Sequence, residues 1–130
     1  MKPCPFCETI ANDSSNRIVE ENEHAIAIRD GYPISPGHTL IIPRRHQKSF
    51  FSLSADEQKA ILALVNSQHS ELQDEFELVD CNIGINDGPL AGQTIPHCHI
   101  HIIPRVMGDV DDPRGGLRWV VPDKADYWSK

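Results

Sequence analysis

The chain has 130 residues, a formal net charge of −7 at pH 7, 39% hydrophobic residues and 24% charged residues. That length and balance suit one globular domain over residues 1–130 and exclude a disordered chain. The acidic total argues against nucleic acid or a membrane surface as partner, and no run reaches the roughly 18 apolar residues of a membrane span.

The N-terminal segment, residues 1–10, holds the knuckle Cys4-Pro-Phe-Cys7 and lacks the apolar centre of a signal peptide. A cytoplasmic setting follows, where cysteines serve as thiols or metal ligands rather than as disulfides. Strands are expected near Arg17–Glu20 and His24–Arg29, followed by the turn-rich Asp30-Gly-Tyr-Pro-Ile-Ser-Pro-Gly37. His38–Ile42 reads as a buried strand ending at Pro43. Ser54-Ala-Asp-Glu57 has the form of a capping box, and Ile61, Leu64, Val65, Leu72 and Phe76 follow at helical spacing. Leu78–Asn86 is expected as a strand, Asp87–Gly92 as a turn, His97–Ile103 as a strand and Leu117–Val121 as a last short strand. Strands outnumber helices and connections are short, which predicts an α+β fold on an antiparallel sheet.

Residues 95–105, IPHCHIHIIPR, place three histidines on alternate positions among branched apolar residues. Successive strand side chains point to opposite faces. His97, His99 and His101 then share one face, and Cys98, Ile100 and Ile102 enter the core. A single strand histidine is an ordinary surface or core residue; three in register need a polar reason. Paired imidazoles can ligate a metal, or one can be a nucleophile flanked by proton donors. Just ahead, Asn86-Asp-Gly-Pro-Leu-Ala-Gly-Gln-Thr94 supplies a glycine loop, an amide and a hydroxyl. Gly92 permits close backbone approach, and Gln93 and Thr94 add donors, as a phosphate cradle requires. The knuckle is ambiguous by itself. A redox pair needs a strand before it, which is absent, whereas tetrahedral zinc needs two ligands beyond Cys4 and Cys7.

GQTIPHCHIHIIPR resembles the signature of the histidine triad superfamily, nucleotidyl hydrolases and transferases. The likeness extends through Asp30, Pro-Gly-His-Thr-Leu-Ile-Ile-Pro-Arg and His46, and covers most of Cys4–Arg105. It implies a HIT-like fold: an antiparallel sheet with one long helix plus short helical segments. His99 would be the nucleophile on the α-phosphate, and His101 would assist the leaving group. Gln93 and Thr94, beside Gly92, would bind phosphate, with Asn86 near ribose or phosphate and Asp30 on the ribose hydroxyls. Cys4, Cys7, His46 and His97 would hold a structural Zn2+. A nucleotide substrate and a homodimer are implied as partners, and Mg2+ or Mn2+ would accompany a polyphosphate. Gly-Pro-x-Ala-Gly-Gln-Thr is closer to dinucleoside polyphosphate hydrolases, of the diadenosine tetraphosphate type, than to adenosine 5′-monophosphoramidases. An open-site metalloenzyme using His97 and His99, and a non-catalytic nucleotide-binding module, are the competing readings. The tail, residues 106–130, carries Trp119 and Trp128 at either a dimer interface or the substrate. His24, His38 and His69 have no inferred partner, and Cys81 and Cys98 are expected as small buried hydrophobes.

Overall fold

Short runs rich in Ile, Leu, Val and Ala, broken by Gly, Pro, Asn and Asp, give the strands of a single sheet. The computed structural model describes residues 3–129; Met1, Lys2 and Lys130, the ends of the knuckle and tail, lie outside them. The strands are β1 (Ile18–Glu21), β2 (Ala25–Arg29), β3 (Thr39–Pro43), β4 (Asp80–Ile85) and β5 (Ile100–Arg105). Every pairing is antiparallel, in the order β1-β2-β3-β5-β4. With helices α1 (Pro5–Ala11), α2 (Ala55–Phe76) and α3 (Pro122–Ala125), this is the α+β architecture expected from the sequence.

β2 and β3 are buried along almost their whole length because both sheet faces are covered. On one face Ala25, Ala27, Ile41, Ile100 and Ile102 pack with Ile61, Leu64 and Leu72 of α2. On the other Ile26, Ile28, Leu40 and Ile42 pack with Phe6 of α1. Each such Ile or Leu side chain contributes about 1.5–3 kcal/mol on leaving water. α2 begins in a complete capping box. The Ser54 hydroxyl accepts from the Glu57 amide at 3.1 Å, and the Glu57 carboxylate accepts from the Ser54 amide at 2.9 Å. Gly37, at φ +86°, lets the chain pass under α2: a Cβ there would lie 3.0 Å from Leu72 and Phe76. Among the described residues no helix is long and apolar enough to cross a membrane.

Two expectations need correction. The histidine strand starts at Ile100 rather than His97, because the Cys98 amide donates to the Gln47 carbonyl at 2.7 Å instead of joining a ladder. The alternation survives, with Cys98, Ile100 and Ile102 in the α2-facing core. Leu117–Val121 is not a strand: Gly116–Val120 is a 3-10 helix, entered through Gly115 and Gly116 at φ +90° and +45°. The knuckle continues into α1, a short helical segment that the sequence reading did not place, with Pro5 at its first position and the Cys4 sulfur accepting from the Cys7 amide.

The buried Glu57 carboxylate also takes two hydrogen bonds from Arg45, at 2.8 and 3.1 Å, tying α2 to the turn that carries His46. The Arg45 guanidinium, with the Ser54 amide, holds this carboxyl down to about 2, against its ordinary 4.5. A depressed folded value means the unfolded chain binds more protons, so the contribution is complete above about 4.5 and lost as pH falls towards about 2. Glu57→Gln should therefore lower stability at pH 7 by roughly 1 kcal/mol, discounted for the half-exposed Arg45. Urea unfolding at stepped pH should show that difference shrinking below pH 4.5.

Candidate active site

A cleft of about 660 Å³ opens on the sheet face opposite α2, lined in part by Phe6, Asp30, Leu40, Asn86, His99 and His101. His99 is 7% exposed, and its Nδ1 lies 2.8 Å from the His97 carbonyl. A carbonyl only accepts, so Nδ1 carries the hydrogen and Nε2 keeps a lone pair. The edge of Phe6 packs against the rings of both His97 and His99, with centroids 5.7 and 5.1 Å apart, and fixes their planes.

His101, on β5, has the opposite tautomer, dictated by a residue that the sequence reading left without a partner. His38 is buried, and its Nδ1 accepts the Ile34 amide at 3.2 Å. A neutral His38 ring must then hold its hydrogen on Nε2, which lies 2.9 Å from His101 Nδ1 and 3.3 Å from an Asp30 oxygen. His101 Nδ1 accepts, and its Nε2–H is left as a donor. Burial, then the neighbouring His99 and His38 rings, pushes His101 down to about 4 despite Asp30. Burial lowers His38 as well, with Asp30 opposing. Two adjacent imidazoles thus offer unlike atoms: a lone pair on His99 and an N–H on His101.

Asn86, Gly92 and Thr94 line the same cleft. Gly92 adopts φ +92°, a left-handed conformation that favours glycine in the loop. Gln93 does something other than expected. Its carbonyl oxygen accepts from Gly88 N at 2.8 Å, and its amide donates to the Lys48 and Ile95 carbonyls at 2.9 and 3.0 Å. Both ends are engaged, so Gln93 braces the loop and Thr94 and backbone groups are left for a ligand. Asp30 lines the cleft, accepts the Tyr32 amide at 2.7 Å as a turn-former does, and keeps its other oxygen beside His38.

Cys4, Cys7, His46 and His97 bring their ligand atoms within 4.8 Å of one another. Tetrahedral zinc with Zn–N of about 2.05 Å and Zn–S of about 2.3 Å sets N···N near 3.3 Å and N···S near 3.6 Å. Here His46 and His97 Nδ1 are 3.2 Å apart, and the sulfur–nitrogen separations are 3.3, 3.4 and 3.6 Å. His97 Nε2 donates to the Pro43 carbonyl at 2.8 Å, which leaves Nδ1 free to ligate. The donor set fits zinc. Asp30, His38 and His101 form a second cluster of possible ligands. A cation there would displace the hydrogen on His38 Nε2 and force one onto Nδ1, against the Ile34 N–H. That cluster is built for a proton.

The HIT domain family model matches residues 11–108. The chain belongs to the HIT family. The HIT protein named "Protein hit" from Bacillus subtilis is 37% identical over 102 residues, covering 78% of this chain and 70% of that one. A Schizosaccharomyces pombe protein, bis(5′-nucleosyl)-tetraphosphatase (asymmetrical), is 40% identical over 80 residues, 62% of this chain and 44% of that protein. A Zn-bound histidine triad family protein from Mycobacterium smegmatis superposes with a TM-score of 0.74 at 31% identity, covering 82% of this chain and 77% of that one. The family binds nucleotides, and named nucleotide hydrolases stand among the relatives.

Other residues of this HIT chain fall outside the cleft. His24 is near Glu23 at 4.0 Å, and Arg44 pairs with Glu21 at 2.6 Å rather than reaching the cleft. Burial raises the Cys98 thiol to about 11 and also lifts Cys81, which is only half-buried. The tail folds on itself. Trp119 donates to the Arg114 carbonyl at 2.8 Å, and the Arg114 guanidinium lies 4.9 Å from the Trp128 ring centre. Neither tryptophan lines the cleft; Leu117 does. Nitrogen-15 NMR of the histidines should find His99 protonated on Nδ1 and His101 on Nε2. His101 should stay neutral down to a pH near 4.

Proposed function

We propose that the protein is a nucleotidyl hydrolase cleaving dinucleoside polyphosphates at the α-phosphorus through a nucleotidyl-His99 intermediate. The opposed tautomers of His99 and His101 carry this reading. Nε2 of His99 attacks in line, the bond to the bridging oxygen breaks, and the charge left on the ring is shared with the His97 carbonyl through Nδ1–H. Thr94, Asn86 and loop amides around Gly92 hold the non-bridging oxygens as charge builds. Water then attacks the same phosphorus, the N–P bond breaks, and the nucleoside monophosphate leaves with one proton released to solvent.

The substrate preference follows from His101. A polyphosphate departs as an anion, since its last proton has a pKa of about 6, and needs only a hydrogen bond from a neutral N–H. An amine leaving group needs a full proton, which a ring that protonates only near pH 4 supplies poorly. Phosphoramidate cleavage is therefore the second reading. Among the described residues Asp30 is the one carboxylate lining the cleft, so Mg2+ or Mn2+ would enter held by the polyphosphate rather than by a protein cage.

Cys4, Cys7, His46 and His97 would hold zinc, which with four protein ligands serves structure and leaves no open position. Exposed Val79, Ile83, Val106 and Met107 around the β4 edge support a homodimer, and free cysteines support a cytoplasmic setting. The whole chain, including the knuckle and the tail, would act as one domain.

His99→Ala should reduce turnover by roughly 10⁴-fold or more while nucleotide affinity changes by less than about threefold. Rapid quench with a labelled dinucleoside tetraphosphate should trap an acid-labile nucleotidyl protein in wild type and none in the variant. Turnover near the wild-type rate without that histidine would overturn the assignment. Chelation or Cys7→Ser should remove stoichiometric zinc and lower the melting temperature by several degrees. The metal content of His99→Ala should stay at one equivalent, measured by elemental analysis.

A further inference from the structure

The strand order gives the cleft a direction. His101 sits on β5 with His99 just before it, and β4 beside them contributes Asn82 and Gly84 to one end. At the other end, past β3 and β2, the lining residues are Pro5, Gly31 and Arg17, which immediately precedes β1. Three strand spacings of about 4.8 Å separate β5 from β1, about 14 Å in all. This inference rests on the nucleotidyl-transfer reading. With phosphorus at His99 and ribose at Asp30, the base of the transferred nucleotide extends towards Arg17, and the leaving group towards β4.

Arg17 is held in place there. Its Nη2 donates to the Thr9 hydroxyl at 3.1 Å, and that buried hydroxyl donates in turn to the Pro5 carbonyl at 3.0 Å. Its Nη1 lies 2.8 Å from where a Cβ on Gly31 would stand, and Gly31 has no left-handed φ. A side chain at this position would oblige the guanidinium end to shift from where it now lies. The nearby carboxylate, Asp13, accepts the backbone amides of Arg17 and Ile18 at 2.8 and 2.9 Å. Arg17 forms no salt bridge among the described residues. A guanidinium has five N–H donors, and the described residues take one of those on Arg17.

We propose that Arg17 reads the base and makes this a guanine-preferring enzyme. Guanine presents O6 and N7 as two adjacent acceptors, which match the fork of an arginine. Adenine places an amino donor where O6 would be, so one of the two hydrogen bonds is lost and two donors face each other. A phosphate on the ribose is disfavoured because the Asp30 carboxylate lies at that position.

Calorimetric binding of GMP and AMP tests this, run beside turnover of diguanosine and diadenosine tetraphosphates. Wild type should bind GMP at least about fivefold more tightly than AMP, the discrimination of one bidentate pair. Arg17→Met and Gly31→Ala should each bring the ratio near one, chiefly through GMP. Gly31→Ala retains the arginine and only displaces it, so it decides the matter if Arg17→Met fails to fold. Equal affinities in wild type, a preference that survives either folded variant, or no binding of either monophosphate would overturn the proposal. The expected binding ratios without turnover of either tetraphosphate would sink the hydrolase reading and leave Arg17 assigned to the base. Turnover of both tetraphosphates at equal rates, with equal monophosphate binding, would do the reverse.

Discussion

A 2.8 Å hydrogen bond joins the Nδ1–H of His99 to the carbonyl of the residue two positions earlier. It assigns the hydrogen to Nδ1 and leaves the far nitrogen of the ring with its lone pair. The carbonyl belongs to His97, whose own ring is anchored on both sides. Its Nε2 donates to the Pro43 carbonyl at the end of β3, and its Nδ1 lies among Cys4, Cys7 and His46. Backbone, β3 and the cysteine cluster therefore meet at one residue, and the orientation of the His99 ring depends on that residue staying where it is.

The partner ring is governed by a different chain of bonds with the opposite result. An amide proton from Ile34 forces the tautomer of His38, and His38 forces that of His101. Two imidazoles whose centroids are 5.1 Å apart thus have unlike outward faces, without either needing a charge. Burial reinforces this by making the charged form of His101 costly. The site is pre-set by neutral hydrogen bonds, which tolerate a dry cleft better than an ion pair would.

Much of this was legible in the sequence because it depends on local pattern. Alternation placed Cys98, Ile100 and Ile102 in the core, and the capping box at Ser54 and Glu57 marked the start of α2. What escaped depends on register between distant segments. His38 reads as an ordinary first residue of a strand until β3 is paired with β5, Leu40 opposite His101, across 61 positions of chain. Gln93 reads as a ligand donor until its amide is seen to close its own loop through Gly88, Lys48 and Ile95. The tail failed for another reason: four apolar residues among the five of Leu117–Val121 are compatible with a strand, and only the backbone conformation of Gly115 and Gly116 turned the segment into a 3-10 helix.

The anchoring of His97 also has a consequence for how the chain assembles. Cys4 and His97 meet across a separation of 93 residues, and Phe6 closes over both triad rings from the same N-terminal helix. Closing so long a loop costs conformational entropy that early local structure cannot offset. During synthesis the knuckle emerges before β5 and must wait for it, so α2 and the β2–β3 hairpin can form while the His99 ring is still unsupported. A chain in which the first turn of α1 has not docked would have a nearly complete core and a His99 ring without the Phe6 contact that packs against it.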